Sequence, residues 1–195
     1  MEIKKKARFI TDVYGSTAAI GAEGILQKWV EDKQNAWLLS WAEQIKRKGQ
    51  TAIQALEEIL SVFHRDSNTP IIGNWMLRRC LINTGQTIFN AMKDKTHPKR
   101  NIIPMAIQLV EPIHIKMFNG KLIEKPDGVK TYTVSVKNRS FFKAYELIKA
   151  GATFETSIFF DDELLTEEHI KLILNKCGSI GVGAFRERYG KFEWI

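Results

Sequence analysis

Gly178-Ser-Ile-Gly181-Val-Gly183-Ala-Phe185-Arg186-Glu-Arg188-Tyr189-Gly190-Lys191-Phe192 is the stretch whose reading decides the fold. Just before it, Thr166 caps a helix running to about Cys177, with Glu167 and Glu168 in the first turn, where the helix dipole favours acids. Gly178 ends that helix, and Lys191 to Ile195 reads as a closing strand. Gly181-x-Gly183 invites comparison with dinucleotide-binding loops, but those run from strand to helix so that phosphate meets a helix N-terminus; here the order is helix, loop, strand. The composition still suits a phosphodiester chain. Glycines let a backbone come close, Arg186 and Arg188 can fork onto phosphates, and Phe185 or Tyr189 can stack on a base. The competing reading is a packed loop in which Gly181 and Gly183 only permit left-handed turns, and the sequence leaves both open.

Outward from the loop, Ala152 to Phe160 alternates as a strand ended by Asp161-Asp162, and Val129 to Val136 is another, rich in β-branched residues. Lys143 to Ile148 is ambiguous between helix and strand. Asn119-Gly120 is a hairpin-type turn, and Pro112 to Met117 alternates like a strand, while Pro104 and Pro112 break any helix between residues 102 and 117. Towards the N-terminus, a helix is expected over Asn74 to Ala91, introduced by a turn over Asp66–Gly73. Another, with stripe Ile53, Leu56, Ile59/Leu60 and Phe63, starts at a Thr51/Gln54 capping box. Trp37, Leu38, Trp41 and Ile45 mark a third from about Asn35 to Lys48; Trp29, Trp37 and Trp41 read as core or subunit interface rather than base-stacking platforms. Lys6 to Tyr14 is the first strand, followed by a small-residue loop over Gly15–Gly24. The class is α+β, with helices early and a strand-rich second half.

The 195 residues hold 29 Lys+Arg against 22 Asp+Glu, a net charge of +7. Twelve of those cations and five of the acids lie between Lys93 and Lys149, so that window carries the whole surplus and the remainder balances to zero. A localised surplus is the footprint of a polyanion-binding surface, though solvated strand faces also collect lysines. Twenty aromatic residues argue against disorder. No apolar run is long enough for a membrane span, and no apolar segment follows Met1–Lys6 as a secretory signal would. Cys80 and Cys177 form neither a disulfide framework nor a metal cluster. The expectation is one cytoplasmic domain over 1–195, without cofactor or metal and without a membrane partner.

Three segments together carry a family resemblance. The helix, the GxGxx…R..YGxF loop and the terminal strand resemble the C-terminal glycine-rich loop of the RAMP (repeat-associated mysterious protein) superfamily of CRISPR systems. Pro70-Ile-Ile-Gly73-Asn74-Trp75-Met-Leu77-Arg78-Arg79 is similar to that superfamily's P-x-I-P-G-S-S-L-K-G turn and helix start, with Ile72 in place of the second Pro and Arg79 in place of the last Gly. Tyr145 to Ile158 is similar to the E-x-V-P-A-G-T-x-F-x-F-x-I hairpin of its backbone subunits, which makes 143–148 a strand. The order matches, over roughly residues 65–195.

The resemblance implies a ferredoxin-like (RRM-like) antiparallel sheet with helices, plus a helical insertion at about 16–65 after the first strand. It implies single-stranded RNA as partner, with DNA as the other polyanion such contacts would accept, and assembly with further copies or other CRISPR-type subunits, in a CRISPR effector or a virus-borne relative of one. Gly73, Asn74, Leu77, Gly181, Gly183 and Gly190 are the positions it carries over. With the cations and aromatics beside them, the expected nucleic-acid contacts are Gly73, Asn74, Arg78, Arg79, Lys95, Lys99, Arg100, Gly181, Gly183, Phe185, Arg186, Arg188, Tyr189 and Lys191. Target cleavage is not expected, because Ile20-Gly21-Ala-Glu23 lacks the Asp of the family's I-G-x-x-D context, and Asp12, Glu23, Asp32 and Asp66 do not substitute for it. Two alternatives stand beside this reading. One is a metal-independent endoribonuclease processing CRISPR RNA with His97 or Tyr14, His97 lying among Lys95, Lys99 and Arg100 where a cation could steady a phosphorane-like transition state. The other is a viral interaction protein that mimics a CRISPR subunit. His64 is expected at a helix C-terminus, His114 facing away from the core and His169 in solvent.

Overall fold

The computed structural model describes residues 1–19, 26, 31, 36–92, 102–109, 112–136, 139–184, 186 and 188–195. Its first elements are β1 (Glu2–Phe9), β2 (Val13–Tyr14), β3 (Thr17–Ala18), α1 (Ala36–Ile45), α2 (Ala52–Ile59) and β4 (Leu60–Val62). Next come β5 (His64–Asp66), β6 (Thr69–Ile72), α3 (Asn74–Met92), α4 (Ile103–Ala106), β7 (Ile107–Leu109) and β8 (Ile113–Lys116). The chain closes with β9 (Gly128–Val136), β10 (Arg139–Ile148), β11 (Thr153–Phe160), α5 (Glu167–Cys177) and β12 (Phe192–Trp194). They form two compact units, one from residues 1–13, 64–125 and 149–195, the other from 14–63 and 126–148.

The first unit is built on a sheet of order β12-β1-β11-β8-β6-β5, with β7 also pairing β11. Strand β1, helix α3, strands β7 and β8, strand β11, helix α5 and strand β12 follow one another as β-α-β-β-α-β. The strand order is last, first, third, second, and β1 runs antiparallel to both β11 and β12. That is the ferredoxin-like arrangement, with β5 and β6 added at the far edge.

Alternation along the central pair separates two faces. Ala7 opposite Phe154 and Phe9 opposite Phe192 lie on the buried face, where Phe154 meets Phe9 and Phe192 at 5.3 Å between ring centroids and Trp194 at 6.0 Å. Leu77, Leu81 and Phe89 of α3 and Ile170, Ile173 and Leu174 of α5 are buried with them. At Gly85 an added Cβ would stand 3.1 Å from Ile173 and 3.2 Å from Ile103, so the missing side chain lets α3 come close to both. The opposite face is polar. Arg8 Nε donates to Glu193 at 3.0 Å, and Glu155 takes both Lys116 at 2.7 Å and Lys6 at 3.7 Å. Those lysines hold the Glu155 carboxyl below its ordinary value, the Lys116 hydrogen bond contributing most.

In the second unit the order is β2-β10-β4-β3, with β9 also paired to β10. Leu38, Ala42, Leu56, Leu60, Val62 and Ala144 form its core, with Trp41 packed against them. Helix α2 starts as the sequence predicts: Thr51 Oγ1 accepts from the Gln54 N–H and Gln54 Oε1 from the Thr51 N–H. Trp37 is less buried than expected, at 42% exposure, and Trp29 lies outside the described residues. The Glu146 carboxylate is fully buried and accepts from the Phe63 N–H at 2.7 Å. Tyr14 is buried too, its hydroxyl accepting from Tyr132 at 3.0 Å.

Several local expectations change. The first strand starts at Glu2 and ends at Phe9, because Ile10 and Thr11 turn to donate to the Lys191 carbonyl. The expected turn over 66–73 is a hairpin, with Ser67 at φ +56° between β5 and β6, and it puts His64 in a strand instead of at a helix C-terminus. Pro104 sits in the first turn of the short α4, where its missing N–H costs nothing, instead of breaking the helix. His114 faces away from the core as expected, pairing there with Asp66 at 3.2 Å, whereas His169, expected in solvent, closes the capping box at Thr166. Residues 143–148, ambiguous from the residues alone, are a strand, as the resemblance implies.

The aromatic cluster gives a direct test. Phe154→Ala is expected to lower the unfolding free energy by about 3–5 kcal/mol, read by urea denaturation, whereas Leu172→Ala on the exposed side of α5 should cost well under 1 kcal/mol, or about the intrinsic helix propensity change alone.

Candidate nucleic-acid interface

The expected contacts that the structure describes belong to two segments of the first unit: the start of α3 and the loop between α5 and β12. Strand β6 delivers the chain to Gly73, whose carbonyl accepts from the Met76 N–H at 2.9 Å as α3 begins. The Trp75 indole folds back across that glycine, so that an added Cβ would stand 2.6 Å from Nε1. Trp75 is 49% exposed and meets His64 edge-on at 5.9 Å. Asn74 is half-buried in the first turn. Four residues after Trp75, Arg79 is exposed on the same helix face, with no ion pair or hydrogen bond among the described residues.

Arg78 turns the other way. Its Nε donates to the Ile107 carbonyl at 2.7 Å and its Nη2 to the Pro104 carbonyl, tying α4 and the start of β7 to α3. Lys191 is likewise occupied: Nζ donates to the Ser179 carbonyl at 2.6 Å, and its N–H to Thr11 Oγ1 at 2.9 Å.

The glycine loop closes on itself. Val182 donates to the Gly190 carbonyl, Gly190 to that of Asp12 and Phe192 to that of Gly178. An added Cβ would come within 1.9 Å of the Phe192 oxygen at Gly178, 2.7 Å of the Tyr189 oxygen at Gly181 and 1.8 Å of the Val182 oxygen at Gly190. Gly181, Gly183 and Gly190 have φ of +80°, +84° and +67°, where side chains are strained. Close backbone packing therefore accounts for three of these glycines without any ligand. It also fixes where the loop lies: the Gly181 N–H reaches the Cys80 thiol on α3, and Arg186 is near enough to act on that thiol electrostatically. Burial, reinforced by Cys177, outweighs both and pushes the Cys80 thiol up to about 12; burial does the same for Cys177.

The loop is thus held against α3 at Cys80, the residue that follows the exposed Arg79 in the chain. Arg186 is half-buried, Arg188 exposed and Tyr189 half-buried. Lys95, His97, Lys99, Arg100 and Phe185 lie outside the described residues. Trp75 is absent from the expected contacts; its spacing of four from Arg79, with a glycine two positions before it, is the sequence signal that points to this exposed position.

A scan against protein-family models and a search of curated proteins find no match. Among solved structures, a Cas6 product complex superposes with a TM-score of 0.30 and 12% identity, covering 98% of this chain. The chain spans 50% of the length of that Cas6 chain. Cmr6 from Pyrococcus furiosus superposes with a TM-score of 0.32 and 9% identity, over 100% of this chain and 98% of the other. Superpositions this loose carry no argument; the fold rests on the strand order above.

Two outcomes follow from the loop. Gly190→Ala should destabilise the protein by more than about 1 kcal/mol in thermal or urea unfolding, since both φ and space forbid the methyl. Both thiols should resist a thiol reagent at about pH 8 until the chain unfolds, and stability should fall as pH rises from about 9 to about 12, because the unfolded thiols ionise first.

Proposed function

We propose that the chain is a non-catalytic, single-stranded RNA-binding protein of RAMP type that assembles along RNA with further copies or CRISPR-type subunits. The observation that carries the binding is the exposed Trp75–Arg79 stripe of α3 beside a glycine loop bearing Arg186 and Arg188. An exposed indole stacks on any base, and guanidinium groups accept phosphates in bidentate fashion, so the contact is insensitive to sequence. Arg78 and Lys191 serve the site indirectly, by holding the backbone that presents these groups. Lys95, Lys99, Arg100 and Phe185 belong to the same reading through their sequence positions. The polar sheet face of this unit, where an RRM would stack bases, suits RNA less well, since ion pairs of Arg8, Lys6 and Lys116 already cross it. The assembly rests on the motif resemblance alone.

Binding to single-stranded RNA should weaken steeply from low to moderate salt, and Arg186→Ala with Arg188→Ala should flatten the log–log slope by about 1 to 2 units. Trp75→Ala should cost about 1–3 kcal/mol of binding with little change in that slope, as stacking carries no counterions. No binding, or binding flat in salt, refutes the reading; cleavage of the RNA in EDTA would move the chain to the endoribonuclease alternative.

A further inference from the structure

The second unit leaves a long sheet edge open. Strand β9 pairs with β10 in unbroken register, from Gly128 opposite Leu147 to Val136 opposite Arg139, without a bulge. On its other side no strand follows among the described residues. Parity decides which backbone groups are left there. The Glu146 carbonyl accepts from the Gly15 N–H at 3.0 Å, so Glu146 turns its backbone groups away from β9. Val129 stands opposite Glu146 and therefore turns its own away from β10. By alternation, Val129, Thr131, Thr133 and Ser135 each point an N–H and a C=O outward.

Open edges are ordinarily blunted by lysines, prolines, bulges or shortness, because their unpaired groups template another strand. Elsewhere this chain follows that rule. Where β12 stops pairing with β1, the bare stretch of β1 carries Lys4 and Lys5, and β3, at the far side of the second sheet, is two residues long. Strand β9 lacks these devices. Over nine residues, Gly128-Val-Lys-Thr-Tyr-Thr-Val-Ser-Val136, it holds one charge, no proline and no bulge, and Thr131 and Thr133 are exposed. The one cation, Lys130, is drawn over its own strand, its ammonium 5.6 Å from the centroid of the Tyr132 ring.

We infer that β9 pairs antiparallel with β9 of a second copy of this chain, about a two-fold axis at Tyr132. In that register the whole strand is matched. Thr131 stands opposite the second copy's Thr133 and Val129 opposite its Ser135, so outward groups meet outward groups and exchange hydrogen bonds. A slip by one residue would set them opposite groups already bonded to β10. Tyr132 meets its own counterpart at the closer, non-hydrogen-bonded position, where aromatic pairs interact. Lys130 stands opposite Val134, so no like charges face each other. The strand is thus complementary to itself, which selects a second copy as the occupant. Once β9 is covered, the short β3 is left at the outer edge, so growth stops at a closed dimer. This contact needs no RNA and goes beyond the RNA-dependent assembly proposed above.

The test is sedimentation equilibrium of the full chain, free of RNA, at about 1 to 100 μM. The parent should follow a monomer–dimer equilibrium. Thr131→Lys with Thr133→Lys sets lysine opposite lysine at both central pairs and should weaken association about tenfold or more, with the melting temperature near that of the parent. Thr131→Glu with Thr133→Glu should do the same. An equal mixture of the two variants should dimerise again, because each lysine then meets a glutamate, a rescue not open to a misfolded chain. A parent that stays monomeric at about 100 μM overturns the inference. So do a lysine variant that associates as tightly as the parent, a mixture that stays monomeric, and growth past the dimer. Association that appears only on adding single-stranded RNA also overturns it while leaving the single-strand reading in place, so the two can fail separately.

Discussion

The register that sets Ala7 opposite Phe154 and Lys6 opposite Glu155 governs the first unit. Because strand side chains alternate, it sends Ala7, Phe9, Phe154 and Ile158 to the buried face and Lys4, Lys6, Arg8, Glu155 and Ser157 to the other. A slip by one residue would drive lysines into the aromatic cluster and leave phenylalanines in water, so the pairing is specified from both sides.

The candidate interface rests on a different constraint, close approach of backbone to backbone. The Gly178–Gly190 loop folds into a space where neighbouring carbonyls come within 3 Å of an added Cβ at three positions. Once closed, it is pinned through Asp12, Thr11 and Lys191 to the end of β1 and through Gly181 to Cys80 on α3. The two readings left open for these glycines are therefore not exclusive. Glycine is needed for packing, and the packing presents Arg186 and Arg188 beside a helix whose exposed face carries Trp75 and Arg79.

Local chemistry made much of the fold legible. The Thr51–Gln54 pair and Thr166 announced their helices because a cap is a contact between near neighbours, and β9 and β11 announced themselves by alternation. What stayed hidden depends on distant partners. Nothing in Thr-Pro-Ile-Ile says that it pairs with His64–Asp66 on one side and with β8 on the other. Arg78 looked like Arg79 until the carbonyls of Pro104 and Ile107, 26 and 29 residues away, claimed its guanidinium. His114, facing away from the core as expected, found an acid, and His169 found a cap in place of solvent.

By itself the sequence determined the α+β class, most helix and strand positions, and the loop order of helix, glycines and strand, all of which follow from propensity, periodicity and capping over a few residues. Only the tertiary structure decided which cations face outward and which are spent on carbonyls, and that Trp75 lies across Gly73 with half its surface in water. Those outcomes depend on burial and on partners far apart in the chain, and a side chain's chemistry is set by what the fold brings within hydrogen-bonding reach.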